Sequence, residues 1–133
     1  MTVNILLASE FIRQFKRLAK KYRSLASDFQ SFKVDLEKNP LQGDDLGNGV
    51  RKVRMAIASK GKGKSGGARI ITLNILVNEL NESETVQQTT EGTEEPVQTM
   101  KVTLLTIYDK SEISNVSDSF IASLVQKNMS ENS

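Results

Sequence analysis

The hydrophobic and polar positions of the chain follow two patterns, and the first is alternation. Apolar and polar residues alternate at 2–7 and at 50–58, as they do in strands that bury one face. Residues 68–77 form an almost unbroken run of β-branched and aliphatic residues, which is typical of a central strand. Residues 101–108, KVTLLTIY, read as a last strand. The pattern therefore predicts four strands.

The second pattern is helical spacing. Ser9 is a good N-cap for a helix whose apolar residues recur between positions 11 and 25. A second helix is expected next, with Leu25, Phe29, Phe32 and Leu36 on one face. It ends at Asn39-Pro40, because the residue before a proline disfavours the α conformation. The two helices are expected to form an αα-hairpin.

A third helix is expected near the C-terminus, where apolar residues at 120–125 follow a capping serine, Ser114 or Ser117. The order of elements is then β-α-α-β-β-β-α. It predicts an α+β domain in which the two N-terminal helices pack on one face of a four-strand, mostly antiparallel sheet.

The second predicted strand indicates which face the helices cover. Its apolar residues Val53, Met55 and Ile57 share one face, because side chains alternate between the two faces of a strand. That face is expected to lie under the helices. Lys52 and Arg54 are then left on the opposite, open face.

Charge is distributed unevenly along the chain. Residues 79–96 carry six acidic side chains and no basic one, whereas the remaining 115 residues carry 18 basic and 10 acidic side chains, a net charge of +8. The polar segment 79–99 is expected to be a flexible acidic insertion in a hairpin, within a single domain over residues 1–128. Residues 129–133 are expected to form a disordered tail. A basic body favours a polyanionic or acidic partner.

Composition excludes several classes of site. The chain has no cysteine and no histidine, so disulfide frameworks, thiolate or histidine metal sites and histidine-based catalysis are excluded. Residues 58–65 match a loose phosphate-loop pattern, but a strand follows them instead of the required helix. We therefore expect no nucleotide, no other cofactor and no metal. The chain lacks a signal peptide and an apolar run of roughly 18 residues, so a cytoplasmic location is expected.

The most basic stretch of the chain is residues 50–75. It contains seven basic residues and no acidic one. Its two β-like runs flank a loop, GKGKSGG at 61–67, made of glycine, lysine and serine. A cationic two-strand surface with such a loop is suited to binding a polyanion.

Three ordered strings in the chain carry a family resemblance: RKVR at 51–54, GKSGGAR at 63–69 and LTIYDKSE at 105–112. Placed after two helices, they resemble bacterial type II toxins of the HigB group, within the RelE/ParE superfamily. The resemblance covers essentially the whole chain. It implies a small α+β toxin that cleaves messenger RNA on the translating ribosome. It also implies a cognate antitoxin protein as partner, expected to be of the helix-turn-helix type.

The resemblance also implies a catalytic set. Lys52 and Arg54 match the basic pair on the first strand of the meander, Arg69 the arginine that starts the next strand, and Lys110 the basic residue that ends the last one. Arginine can clamp phosphate oxygens through two N–H groups. Lys52 or Lys110 is expected to take part in proton transfer, since no histidine is present.

The other basic residues are expected to bind RNA or the ribosome: Arg51, Lys60, Lys62 and Lys64 around the glycine loop, and Arg13, Lys16, Arg17, Lys20 and Lys21 on the first helix. The chain departs from the family pattern at Ala68, where tyrosine is usual, and at Val116 and Ser117, where relatives carry an aromatic residue. Two alternatives therefore stay open. One is a DNA gyrase poison of the ParE type, and the other is a member that only binds antitoxin or RNA.

Overall fold

The computed structural model of the protein describes residues 2–61, 63–79 and 97–131. In chain order, they form β1 (Thr2–Leu7), α1 (Ser9–Lys21), α2 (Leu25–Lys38), β2 (Asp44–Gly47), β3 (Val50–Met55), β4 (Ala68–Glu79), β5 (Val97–Asp109) and α3 (Asp118–Glu131). Two short 3₁₀ turns, Ala58–Lys60 and Lys64–Gly66, lie in the connection between β3 and β4. The architecture is α+β, as predicted.

The sheet differs from the prediction in strand number and in pairing. It has five strands in the order β1-β5-β4-β3-β2, and it is mixed, because β1 pairs with β5 in parallel while the other pairs are antiparallel. The strand missed from the sequence is β2, which lies between the second predicted helix and the strand predicted at 50–58. All four of its residues are exposed, so it has no apolar alternation to reveal it. Left-handed backbone at Gly47, Asn48 and Gly49 forms the tight turn that returns the chain to β3.

The helix-covered face of the sheet was predicted correctly. Val53, Met55 and Ile57 are buried with phenylalanines of α1 and α2. The rings of Phe11 and Phe29 lie 5.4 Å apart between centroids, which joins the two helices over the strands. Buried residues of the central strands complete this core: Ala68, Ile70, Met100, Val102, Leu104 and Ile107.

The opposite face of the sheet was expected to be open, but α3 partly covers it. Ile121 and Leu124 of α3 pack on Ile71 and Leu105 of the central strands. The unbroken apolar run of β4 was a signal for this second covered face, because a strand buried on both faces carries apolar side chains on both. Helix packing on both faces makes the domain a three-layer structure.

The ends of α3 and of the long hairpin also differ in part from the prediction. Of the two capping serines proposed, Ser117 caps the helix, since its Oγ accepts the Phe120 N–H at 3.1 Å. The helix continues to Glu131, whose carboxylate accepts the Ser9 hydroxyl at 3.0 Å, so residues 129–131 are helical instead of a disordered tail. Glu79 and residues 97–99, assigned to the acidic insertion, belong to β4 and β5.

The rest of the predicted insertion, residues 80–96, lies outside the described residues, as do residues 132–133. Among the helices that are described, none is long and apolar enough to cross a membrane.

Candidate functional site

One end of the sheet brings basic residues of two strands together. Arg54 of β3 lies directly opposite Arg69 of β4, and Arg69 lies opposite Tyr108 of β5. Directly opposed residues of antiparallel strands point to the same face, with Cβ atoms about 5 Å apart. Lys52 is two residues before Arg54 and shares that face. Three of the four predicted catalytic residues therefore lie together on the face that α3 partly covers.

Arg69 has a structural role that the sequence did not predict. Its side chain is only 5% exposed. Nη1 donates to the carbonyl oxygens of Lys64 at 3.0 Å and Ala68 at 3.2 Å, and Nη2 donates to the Ser65 carbonyl at 3.1 Å. These bonds fix the second 3₁₀ turn of the β3–β4 connection. Three of the five N–H groups of the guanidinium are used in this way, which leaves two for a ligand.

Arg69 and Tyr108 are both incompletely satisfied in this environment. None of the described carboxylates forms an ion pair with Arg69. The buried Tyr108 hydroxyl has no hydrogen-bond partner within the described parts of the chain. Burial raises the pKa of Tyr108, and the charge of Arg69 lowers it in part. Since a buried charge without a counter-ion is costly, the surroundings of Arg69 favour an anionic ligand.

Arg54 and Lys110 are the exposed members of the predicted catalytic set. Neither side chain has a hydrogen bond or ion pair to another residue that the structure describes. Arg54 lines a cleft of about 130 Å³ beside α2, together with Lys64 and Asp35. The backbone N–H of Lys110 donates to the carbonyl of Gly67 at 3.1 Å, which places Lys110 next to the end of the connection that precedes Arg69.

Lys52 is held more firmly than these two. It is partly buried, and its Nζ donates to Asn115 Oδ1 at 3.3 Å, in the segment that leads to α3. Lys52 is thus positioned by a neutral partner and keeps its charge uncompensated within the described part of the chain.

The predicted RNA- and ribosome-binding residues fall into two groups. Several are paired with acidic residues: Arg13 with Glu10, Arg17 and Lys21 with Glu112, Arg51 with Asp45, and Lys60 with Asp109. The side chains of Lys16, Lys20 and Lys64 are exposed and form no hydrogen bond or ion pair with the described residues. Lys62 lies outside those residues. The charge available to a polyanion is therefore smaller than the sequence indicates.

Asp109 is a buried functional group that sequence reasoning missed. Its carboxylate is fully buried and accepts hydrogen bonds from the Tyr22 hydroxyl, from Lys60 Nζ at 2.7 Å and from Ser111 Oγ at 2.7 Å. Burial acts to raise the pKa of Asp109, but the hydrogen bonds from Lys60, Tyr22 and Ser111 outweigh it and hold that pKa far below its usual range. Strand alternation was the available signal, because Asp109 follows the core residue Ile107 on the same face.

No model of a known protein family matches the chain, and no solved structure matches it at a significant level. The resemblance to HigB toxins therefore stays a prediction. The chemistry of the site depends on the residues described above.

Proposed function

We propose that this protein is a HigB-type toxin that cleaves messenger RNA on the ribosome and is neutralised by a cognate antitoxin in the cytoplasm. The observation that supports this best is the pair of arginines on neighbouring strands, Arg54 and Arg69. One guanidinium is exposed, and the other is buried without a counter-ion that the structure describes. A phosphodiester could bind both at once.

The chemistry requires no metal and no histidine. In RNA the 2′-oxygen attacks the adjacent phosphorus, the bond from phosphorus to the 5′-oxygen breaks, and a cyclic phosphate and a free 5′-hydroxyl remain. The proton of the 2′-hydroxyl is taken up by a base, and another proton is given to the leaving 5′-oxygen. Charge builds up on the non-bridging oxygens meanwhile, and donors placed there lower the barrier.

Each residue of the proposed catalytic set has one of these tasks. Arg54 and the two remaining N–H groups of Arg69 bind the non-bridging oxygens. Lys52 and Lys110 take part in the two proton transfers, since both lie at the same end of the sheet and have no carboxylate partner among the described residues. The exposed Lys16, Lys20 and Lys64 contact RNA phosphates farther from the scissile bond.

The test is a cleavage assay with purified protein, translating ribosomes and a defined message. Cleavage with ribosomes, and little or none without them, is the result expected. If the protein leaves the message intact but inhibits supercoiling by DNA gyrase, the ParE-type alternative replaces the nuclease. Binding to RNA without cleavage would instead support the non-cleaving alternative.

A further inference from the structure

The carboxylate of Asp109 joins three separate segments of the chain. Tyr22 reaches it from the end of α1, Lys60 from the first 3₁₀ turn after β3, and Ser111 from the segment after β5. Ser111 also donates its backbone N–H to Asp109 Oδ1 at 2.9 Å. Asp109 itself ends β5, between Tyr108 and Lys110 of the candidate site.

The β3–β4 connection is anchored at both of its turns. In the first turn, the backbone N–H groups of Ala58 and Ser59 donate to Asp28 Oδ2 at 3.0 Å and to Ser24 Oγ at 2.9 Å, while Lys60 bonds Asp109. In the second turn, the carbonyls accept from Arg69. Only three residues of the chain separate the two turns, so displacement of the first turn is expected to shift the second turn and the guanidinium of Arg69 bonded to it.

Lys60 is the anchor whose charge must be balanced. Its side chain is 9% exposed, and Asp109 is the one acidic residue within ion-pair distance of it among the described residues. If Asp109 lost its charge, a buried cation would be left without a counter-ion, at a large cost in free energy. Lys60 would then turn towards solvent and pull the first turn away from α1 and β5.

We propose that Asp109 is a positioning residue of the RNA site: by holding Lys60 it fixes the β3–β4 connection that places Arg69 and Lys110 against a phosphate. The inference rests on the proposed function only in taking RNA as the ligand. Asp109 does not touch the substrate, because its carboxylate is fully buried.

The test is possible because loss of the negative charge and loss of positioning change RNA affinity in opposite directions. Asp109→Asn removes one negative charge close to a polyanion site, so charge alone predicts tighter RNA binding. Loss of positioning predicts weaker binding, by about tenfold. Glu112→Gln is the matched control, since it removes the same charge from an exposed neighbour that contacts Arg17 and Lys21. We expect it to bind a single-stranded RNA oligonucleotide at least as tightly as the unchanged protein.

Amide hydrogen exchange measures directly how firmly the first turn is held. The N–H groups of Ser59 and Gly61 are hydrogen-bonded, to Ser24 Oγ and to the Ala58 carbonyl, so we expect both to exchange at least about tenfold faster in Asp109→Asn. Lys60→Gln removes the same contact from its other end, so combining it with Asp109→Asn should add little to the effect of either single substitution. If Asp109→Asn does not fold, Ser111→Ala gives the same readouts without any charge change, with an effect of about threefold.

Several outcomes overturn the proposal. RNA affinity of Asp109→Asn equal to that of Glu112→Gln would do so, as would unchanged exchange at Ser59 and Gly61. Failure of the unchanged protein to bind RNA would overturn this proposal, whereas the proposed function is decided separately by the cleavage assay on translating ribosomes. RNA binding without cleavage would contradict the nuclease activity alone. The RNA affinities of the variants would still decide the role of Asp109.

Discussion

Arg54 and Arg69 lie directly opposite each other on β3 and β4, and none of the described carboxylates forms an ion pair with either guanidinium. Two adjacent cations repel each other unless an anion lies between them. The two differ in accessibility. Arg69 is buried and hydrogen-bonded to carbonyls of its own loop, whereas Arg54 is exposed. This difference decides which substitution can test function without disturbing the fold.

Substitution of Arg69 is expected to affect both stability and activity. Arg69→Ala removes three hydrogen bonds to the carbonyls of Lys64, Ser65 and Ala68 and should lower the free energy of unfolding by about 2 kcal/mol or more. Arg69→Lys keeps the charge but cannot bridge the same carbonyls, so it should rescue poorly. Urea denaturation and toxicity in cells measure the two effects. Full toxicity of Arg69→Ala would remove Arg69 from the proposed mechanism.

Gly67 is expected to tolerate no side chain. A Cβ added there would lie 2.2 Å from the carbonyl oxygen of Met55. Gly67→Ala should therefore destabilise the protein by about 2–3 kcal/mol through overpacking. Gly61→Ala is the matched control: apart from its chain neighbours, no atom of the described residues lies within 4 Å of a Cβ added there, and its positive φ of 69° should cost only about 1 kcal/mol. Thermal unfolding of both variants checks this, and equal losses of stability would contradict it.

The stability that Asp109 provides should depend on pH in one direction. The pKa of Asp109 is lowered in the folded protein, so its contribution is present above the unfolded pKa of about 4 and is lost as pH falls below it. Breaking a buried ion pair costs about 3 kcal/mol. Asp109→Asn should thus be less stable than the unchanged protein by a constant amount between pH 6 and 8.

That difference should shrink as the pH is lowered from about 4 towards 2. Guanidinium denaturation of both proteins across this range is the measurement. The chain has no histidine to add a second transition near neutral pH. A stability gap that widened in acid would contradict the direction of the pKa shift.

The acidic segment at residues 80–96 can be replaced by a short turn, because the residues that flank it are paired across the hairpin. Glu79 and Val97 are directly paired in β4 and β5, so an Asn-Gly turn can replace residues 80–96. The shortened chain should fold with an unchanged melting temperature. It loses five glutamates, so it should bind RNA more tightly at low salt, with less difference at high salt. Equal affinity at low salt would show that those glutamates do not act on the RNA site.

The sequence predicted elements that have strong periodicity and missed those that lack it. The face of β3 that packs on the helices followed from Val53, Met55 and Ile57 alone. β2 was missed because a four-residue exposed strand depends on backbone pairing and on the turn at Asn48. The parallel pairing of β1 with β5 joins strands far apart in sequence, and no local pattern encodes it.

The candidate site shows the same division. Register placed Arg54, Arg69 and Lys52 on one face, as strand alternation indicated for Lys52 and Arg54. The pairing of Lys60 with Asp109 could not be predicted, because it depends on a loop meeting the end of a distant strand. Charge counting along the sequence therefore overestimated how many basic side chains are available to RNA.

The most direct test of ribosome-dependent cleavage is the single-turnover rate of message cutting by Arg54→Ala on translating ribosomes. The Arg54 side chain has no hydrogen bond or ion pair to another described residue, so the variant should fold like the unchanged protein. We expect its rate to fall by about 10²–10³-fold. Lys127→Ala, which removes the same charge from the exposed surface of α3, should cut at the original rate. Cleavage by Arg54→Ala as fast as by Lys127→Ala would contradict the proposed site.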